Sequence, residues 1–314
     1  MNKDYIVDYS IVIPVYYNEG SLKKTYEVIV NEVISKNKDK TCEIIFIDDG
    51  SKDNSYSELL LLQQNSEIVK VIKLTRNFGQ VAAIMAGYQH ARGKCIINLS
   101  ADLQDPPQLI NLMLEKFFQE EKQLVICTRK TRDESWFRRF TSKIFYSFIK
   151  KLQFSNMPEG GFDFALISAR LRDIVVRNTN TNPFWQGQLL WAGYEPVFIE
   201  YDRQKREIGK SRWTLSKKIK YLIDGVLGYS YFPIRLMSVL GLIVFLLGAI
   251  YALVISVLYF FGHSPFKGWA PIMILILVLS GFQMLMLGII GEYLWRTLEE
   301  SRKKELFLID KIVE

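Results

Sequence analysis

Two long uncharged runs limit what this chain can become. From Leu236 to Gly262, and again from Trp269 to Gly291, there is no Asp, Glu, Lys or Arg. Each run exceeds the about 20 residues a helix needs to cross a hydrocarbon core about 30 Å thick. Helices of that length in a water-soluble core carry a polar face, and these do not. Both are expected to be transmembrane helices, over 234–262 and 269–294. The link His263–Gly268 is so short that the pair must form a hairpin with both ends on one side. Lys217, Lys218, Lys220 and Arg235 precede the first run and Arg296, Arg302, Lys303 and Lys304 follow the second. By the positive-inside rule both ends, and with them both termini, are expected in the cytosol at the plasma membrane. Ser280, Gly281, Gly288 and Gly291 offer small residues for close helix contact, within the hairpin or between copies. Glu292 and Arg296, at i,i+4 just past the second run, read as a solvated interfacial ion pair.

The rest of the chain is of a different character. Residues 1–128 hold 14 Lys/Arg against 17 Asp/Glu, residues 129–235 hold 20 against 10, and residues 236–314 hold 6 against 6. The whole basic excess therefore lies in the middle. That distribution, with 49% hydrophobic residues, argues against a uniformly basic nucleic-acid binder and against a disordered chain. Cys42, Cys95 and Cys127 lack CxxC spacing, and two His do not make a His-based site, so any metal is expected to have oxygen ligands. The opening MNKDYIVDYS has no apolar core of a signal peptide, which keeps the first domain in the cytosol in this reading.

Short apolar, β-branched runs at 10–15, 43–47, 69–74, 95–99 and 124–127 alternate with segments long enough for helices. This alternation predicts an open, mainly parallel α/β sheet. Ligands of such sheets bind at the carboxyl ends of strands, where this sequence places Tyr16 to Gly20, Asp48 to Asp53 and Ser100 to Pro107. Carboxylates there suit a hard divalent cation that bridges substrate phosphates, and Asp102 with Gln104 is the best pair. Asp49 is also read as functional, and Asp53 as a cap of the following helix. Gly209-Lys210-Ser211 imitates the end of a P-loop, but Gln204 stands where that motif needs glycine. No GxGxxG follows the first strand, so a Rossmann dinucleotide site is unsupported.

Within 135–154 the residues Trp136, Phe137, Phe140, Ile144, Phe145, Phe148, Ile149 and Leu152 recur at three- and four-residue steps among Arg138, Arg139, Lys143, Lys150 and Lys151. That pattern predicts a basic amphipathic helix able to lie in a headgroup layer. Residues 213–233 show similar chemistry and lead into the first apolar run.

IVIPVYYNEG (11–20), IDDGSKD (47–53), TRNFGQVAAIMAG (75–87), SADLQDPP (100–107), GFDFALIS (161–168) and REIGKSRW (206–213), followed by the hairpin, together resemble one family. It is the polyprenol-phosphate glycosyltransferases of glycosyltransferase family 2, related to dolichol-phosphate mannose synthase. The resemblance spans nearly the whole chain. It implies a GT-A domain over 1–212, Rossmann-like with a mainly parallel sheet. A juxtamembrane helix, the hairpin and a cytosolic tail over 295–314 follow. It implies inverting transfer of a sugar from a UDP- or GDP-linked donor to polyprenyl phosphate, undecaprenyl phosphate in a bacterium, with Mg²⁺ or Mn²⁺ as cofactor and a homo-oligomer, a tetramer by family precedent.

Carried over by residue, Pro14, Tyr16 and Asp49 resemble the nucleoside-binding positions, with Ile47 and Asp48 beside them and Ser100 and Ala101 across from them. The family's P-x-Y-N-E is PVYYNE here, and Glu19, with Asn18 as the other candidate, takes the glutamate's role. The usual Asp-x-Asp is Ser100-Ala101-Asp102, which removes one carboxylate and leaves Asp102 and Gln104 to meet the metal. Arg129, Arg138 and Ser142 match acceptor-phosphate contacts, while Arg206, Ser211 and Arg212 match a loop closing on the donor diphosphate. Asp163 matches the acidic residue near the reacting groups, so Asp102, Asp163 and Arg206 are the implied catalytic set. A processive polysaccharide synthase is the neighbouring alternative, though Gly209 stands where its Q-x-x-R-W segment needs glutamine. A non-catalytic membrane adaptor is the alternative suggested by Ser100.

Overall fold

The computed structural model describes residues 6–130, 156–158, 161–178, 184–203, 232–261, 270–302 and 304–314. They form two compact units, one of residues 1–225 with 305–314 and one of residues 226–304. The expected amphipathic segments at 135–154 and 213–231 lie outside the described residues.

The first unit is built on an eight-stranded sheet. Its strands are β1 (Val7–Val15), β2 (Cys42–Asp48), β3 (Val69–Leu74), β4 (Gly93–Asn98), β5 (Leu124–Arg129), β6 (Phe164–Ser168), β7 (Val197–Tyr201) and β8 (Ile309–Val313). They lie side by side in the order β7-β5-β6-β4-β1-β2-β3-β8. The five runs read as strands are β1 to β5. β1 pairs in parallel with β2 and β4, β2 with β3, and β5 with β7. β6 is antiparallel to both neighbours, and β8 is antiparallel to β3. The helices α1 (Leu22–Glu32), α2 (Ser55–Gln64), α3 (Gln80–His90), α4 (Leu109–Phe118), α5 (Ala169–Arg177) and α6 (Trp185–Trp191) belong to the same unit.

Burial follows from the sequence. Ile11, Val12, Ile13, Ile44, Ile45, Phe46 and Ile47 are fully inaccessible, as expected of central strands covered on both faces. α3 (QVAAIMAGYQH) is rich in small residues because it lies almost on the sheet. A Cβ on Gly87 would come within 2.4 Å of Val12 Cγ1 and 2.9 Å of Ile47 Cδ1. Any side chain there would push the helix off β1 and β2.

The crossover between the two halves of the sheet makes the cleft. β2 and β3 follow β1 to one side, and the chain then crosses back so that β4 lies on the other side of β1. The ladder from β1 to β4 ends at Val12 and Asn98, with Leu99 N–H donating to the Val12 carbonyl at 3.0 Å. The ladder to β2 continues to Val15 and Asp48. Pro14, two residues past Val12 on the same side of the strand, has no N–H to offer β4. The two strands part there.

The carboxyl-terminal residues depart from expectation. The sequence predicts a tail over 295–314, but α8 (Ala270–Ser301), the second of the two long helices, runs through the first seven of these residues, and Ile309–Val313 completes the sheet. Thr75 N–H donates to the Leu308 carbonyl at 3.0 Å, and the pairing runs from Leu74 opposite Ile309 to Val71 opposite Val313. At its far end Glu314 meets Arg92 at 2.8 Å and Lys70 at 3.5 Å, while Lys70 also meets the buried Glu43 at 3.0 Å. β8 thus covers what would be an open edge of apolar strand β3, and carries Asp310 and Lys311 on the new edge. Removal of residues 305–314 is expected to cost roughly 2–3 kcal/mol from lost apolar burial, a fall in Tm of about 5–10 °C. Thermal unfolding of the purified protein checks this, and an unchanged Tm would refute it.

The second unit holds α7 (Phe232–Phe260) and α8. Large apolar side chains line both: Leu242, Leu247 and Leu253 on α7, and Ile272, Met284 and Leu294 on α8, are all more than half exposed. Glu292 and Arg296 form the expected i,i+4 pair at 3.1 Å. Taken over the described residues alone, no helix is long and apolar enough to cross a membrane.

Candidate active site

The carboxyl edge of the sheet brings the acidic motifs together. The loop after β2 is the most tightly built. Asp49 N–H donates to the Val15 carbonyl at 2.9 Å, joining the ends of β1 and β2. The Asp49 carboxylate accepts from Phe78 N–H at 2.7 Å, Gly79 N–H at 2.9 Å and Asn77 Nδ2 at 2.8 Å. It therefore holds the turn before α3. Gly50, at φ +69°, passes so close to that turn that a Cβ would lie 2.5 Å from the Arg76 carbonyl carbon. Asp53 accepts from Ser55 N–H at 3.2 Å in the turn before α2, but the N-cap position itself is Asn54, so Asp53 stands one residue ahead of the cap it was expected to be.

Glu19 is likewise occupied, accepting from Asn54 Nδ2 at 2.7 Å and Asn54 N–H at 3.3 Å at the start of α2. Tyr16 N–H donates to Asn18 Oδ1 at 2.9 Å, and its ring packs edge-on against Tyr17 with centroids 4.6 Å apart. The side chains of Ile47 and Ala101 are buried, so a ligand in the cleft would meet their backbone. The Ala101 carbonyl accepts from Thr25 Oγ1 at 3.0 Å, tying this loop to α1.

Asp48 is buried among apolar residues. One oxygen accepts from Ser51 N–H at 3.2 Å, and the other, Oδ2, is buried without a hydrogen-bond partner. Burial raises its pKa, against the opposing pull of Ser51 and Lys73. A carboxyl whose folded pKa exceeds its unfolded value favours the fold when protonated. That contribution is full below the unfolded value and is lost as pH rises through the folded one. Asp48→Asn removes the titration, so the variant is expected to be more stable than the parent at pH 7. The gain should vanish below about pH 4, where the aspartate is itself protonated. Melting curves of both proteins across pH 3–8 check the sign, and a pH-independent difference would refute it.

The loop after β4 carries the candidate metal residues. Asp102 Oδ1 accepts from Ser100 Oγ at 2.8 Å and from Gln104 N–H at 3.2 Å. Among the described residues no group of three or more His, Cys, Asp and Glu could hold a metal by itself. Ser100, Asp102 and Gln104 present only oxygen as acceptor. That donor set fits a hard divalent cation completed by substrate phosphate oxygens, rather than one held in a protein cage.

Across the cleft stand Arg129, at the end of β5, and Asp163, at the start of β6. Because β6 runs antiparallel, its beginning lies at the same edge as the ends of β4 and β5. Arg129 Nη2 donates to Asp163 Oδ2 at 2.9 Å. Asp163 is held by its backbone, since Asn98 Nδ2 donates to the Asp163 carbonyl and Tyr88 Oη donates to Asn98 Oδ1 at 3.0 Å. Its side chain remains 50% exposed. Burial works against the Arg129 charge, but the Asp163 and Asp105 carboxylates outweigh it and push its pKa up. Arg129 is a permanent cation at the mouth of the site. Two residues that the sequence did not single out, Asp105 and Tyr201, meet here, with Tyr201 Oη donating to Asp105 Oδ1 at 2.5 Å. Asp105 stands within the SADLQDPP motif, whereas Tyr201 ends a strand that was not recognised. Arg138, Ser142, Arg206, Ser211 and Arg212 lie outside the described residues.

Comparison with known proteins adds the lineage. The family described as "Glycosyl transferase family 2" matches residues 10–175, more than half the chain. The chain belongs to glycosyl transferase family 2. An uncharacterised glycosyltransferase of Bacillus subtilis strain 168 is 34% identical over 308 residues, covering 97% of this chain and 94% of its own. A prophage bactoprenol glucosyl transferase homologue of Escherichia coli K12 is 32% identical, covering 96% and 98%. The bactoprenol glucosyl transferase of Shigella phage SfV is 31% identical, covering 96% and 97%. Among solved structures, glucosyl-3-phosphoglycerate synthase of Mycobacterium tuberculosis, in complex with Mn²⁺, UDP and glucosyl-3-phosphoglycerate, superposes with a TM-score of 0.50. It is 13% identical over 71% of this chain and 78% of its own, a likeness of fold. This family 2 enzyme is a glycosyltransferase with a GT-A fold, as the motifs implied.

Proposed function

We propose that the enzyme transfers a sugar from a UDP- or GDP-linked donor to polyprenyl phosphate at the cytosolic face of the plasma membrane, with inversion at the anomeric carbon. The observation that carries this reading is the pairing of Arg129 with Asp163, 2.9 Å apart, at the same sheet edge as Asp102. One side of the cleft offers carboxylate and hydroxyl oxygens suited to a metal-bound diphosphate. The other offers a guanidinium fork suited to a second phosphate. Full-length relatives named for bactoprenol supply the acceptor class.

The chemistry proposed is a single displacement. An acceptor phosphate oxygen attacks the anomeric carbon, the bond from that carbon to the diphosphate oxygen breaks, and its electron pair leaves with the nucleoside diphosphate. A phosphate monoester has a second pKa of about 6, so the nucleophile is already ionised in the cytosol and needs little general-base help. Arg129 would orient it and offset its charge as it approaches a second anion. Asp163, half exposed and tied to Arg129, would orient the acceptor or the sugar hydroxyls. Asp102, Gln104 and Ser100 would hold Mg²⁺ or Mn²⁺, which when bound neutralises charge on the departing diphosphate.

Assignment of α7 and α8 to the bilayer rests on their complete sequences. α7 is 29 residues long with Arg235 as its sole charge, and α8 is uncharged from Ala270 to Gly291. At 1.5 Å per residue these stretches run about 43 Å and about 33 Å, enough to cross a core of about 30 Å. Exposed leucine, isoleucine and methionine along both helices need an apolar cover, and lipid provides it. Close packing of copies through Gly281 and Gly288 would suit an oligomer, a tetramer in the proposed form.

The test incubates the purified protein with polyprenyl phosphate, Mn²⁺ and radiolabelled UDP- and GDP-sugars, followed by organic extraction. Label in a lipid that mild acid releases is the expected result. Label in insoluble polymer would indicate a processive synthase, and no label with any donor would overturn the enzymatic reading.

A further inference from the structure

Asp105 is buried at the carboxyl edge, 1% exposed, and the proposed reaction gives it no role. Every described contact that it makes is with a donor. Tyr201 Oη donates to Oδ1 at 2.5 Å, Arg203 Nε stands 3.7 Å from the same oxygen, and Ser100 Oγ lies 3.1 Å from Oδ2. Each hydroxyl reaches further. Ser100 Oγ is 2.8 Å from Asp102 Oδ1, and Tyr201 Oη accepts from Arg129 Nε at 3.4 Å.

The polarity of this chain is determined by chemistry. Arg129 can only donate, so Tyr201 accepts from it and must spend its own proton on Asp105. Ser100 has one proton for two carboxylates, Asp102 and Asp105, and whichever it serves, the other is exposed to the charge of its neighbour. The register supports the link, since Arg129 lies opposite Tyr201 at the ends of β5 and β7.

We infer that Asp105 is a positioning residue that couples the two halves of the site, setting Arg129 through Tyr201 on the acceptor side and Asp102 through Ser100 on the donor side. Its charge lies beside the serine that replaces the first carboxylate of Asp-x-Asp, so it keeps a second negative charge next to Asp102 without contacting substrate. This inference rests on the proposed reaction for its acceptor arm alone.

Three single variants of the full-length protein in detergent separate the arms. Tyr201→Phe keeps the ring, packed edge-on against Phe164 at 6.3 Å, and removes the hydroxyl. It should raise the KM for polyprenyl phosphate about fivefold or more and leave Mn²⁺ binding in the presence of nucleoside diphosphate within about twofold of the parent. Ser100→Ala should do the reverse. Asp105→Asn should shift both quantities, by about threefold or more each, because it severs both arms. Mn²⁺ affinity is read by electron paramagnetic resonance with UDP and GDP. If Asp105→Asn lowers Tm and kcat while KM for the acceptor and Mn²⁺ affinity stay at parental values, Asp105 is merely structural. An unchanged acceptor KM in Tyr201→Phe also overturns the inference. Should the parent transfer nothing to polyprenyl phosphate, the reaction proposal falls separately. The Mn²⁺ titration of Asp105→Asn then decides the donor arm, and parental affinity there, or no Mn²⁺ binding by the parent, overturns it.

Discussion

Asp102→Ala is expected to lower sugar transfer by about a thousandfold or more while the protein stays folded, since charge stabilisation of the leaving group is usually the largest single contribution to such a reaction. Asp102 lies in a turn at the carboxyl end of β4, partly exposed, with its described bonds going to Ser100 and to the Gln104 backbone. Both bonds stay within the loop after β4, and a Tm within a few degrees of the parent is the expected result of a melting curve. Transfer measured by lipid extraction over a range of Mn²⁺ concentrations checks the prediction. Parental rates at saturating metal would remove Asp102 from the metal site, whereas partial recovery at high Mn²⁺ would fit the weakened site that Ser100 already suggests.

Arg129→Met should reduce kcat/KM for polyprenyl phosphate by about a hundredfold to a thousandfold, the range found when a charge-stabilising donor is removed from an enzyme site. Methionine keeps most of the stem and deletes the fork. The Asp163 partner is half exposed and so is not stranded in an apolar interior by the change. Lysine at the same place restores charge without the two-pronged geometry and should recover only part of the loss. Steady-state kinetics with varied acceptor and fixed donor distinguish the cases. Loss confined to kcat, with acceptor KM unchanged, would indicate that Arg129 acts on the leaving group instead.

These residues were legible because a parallel strand announces itself by an unbroken apolar run and its ligands follow directly. β1 to β5 and the acids after β2 and β4 were located in this way. What the same logic does not show is which of these acids also hold the protein's own loops. Asp49 sits where a ligand residue would, yet its carboxylate takes three donors from the turn at 77–79, a partnership across about thirty residues that spacing does not reveal. Glu19 is similarly drawn to Asn54. β7 (VFIEY) and β8 (IDKIV) escaped notice because edge strands carry charges and alternate poorly. With β7 missed, Tyr201 could not be placed beside Arg129, nor Asp105 recognised as more than a turn residue.

The position of β8 has a consequence for how the molecule is made. The strand that finishes the catalytic sheet is encoded after the hairpin, so β3 leaves the ribosome with its outer edge unpaired. At translation rates of about 5–20 residues per second, the 235 residues from Leu74 to Ile309 take about 12–47 s to add. During that interval the exposed strand can pair with other chains. With α7 and α8 in a bilayer, as proposed, the edge would close only when the segment beyond α8 is released on the same side of the membrane as the sheet. Completion of the catalytic domain would then report that the hairpin had inserted with the correct orientation.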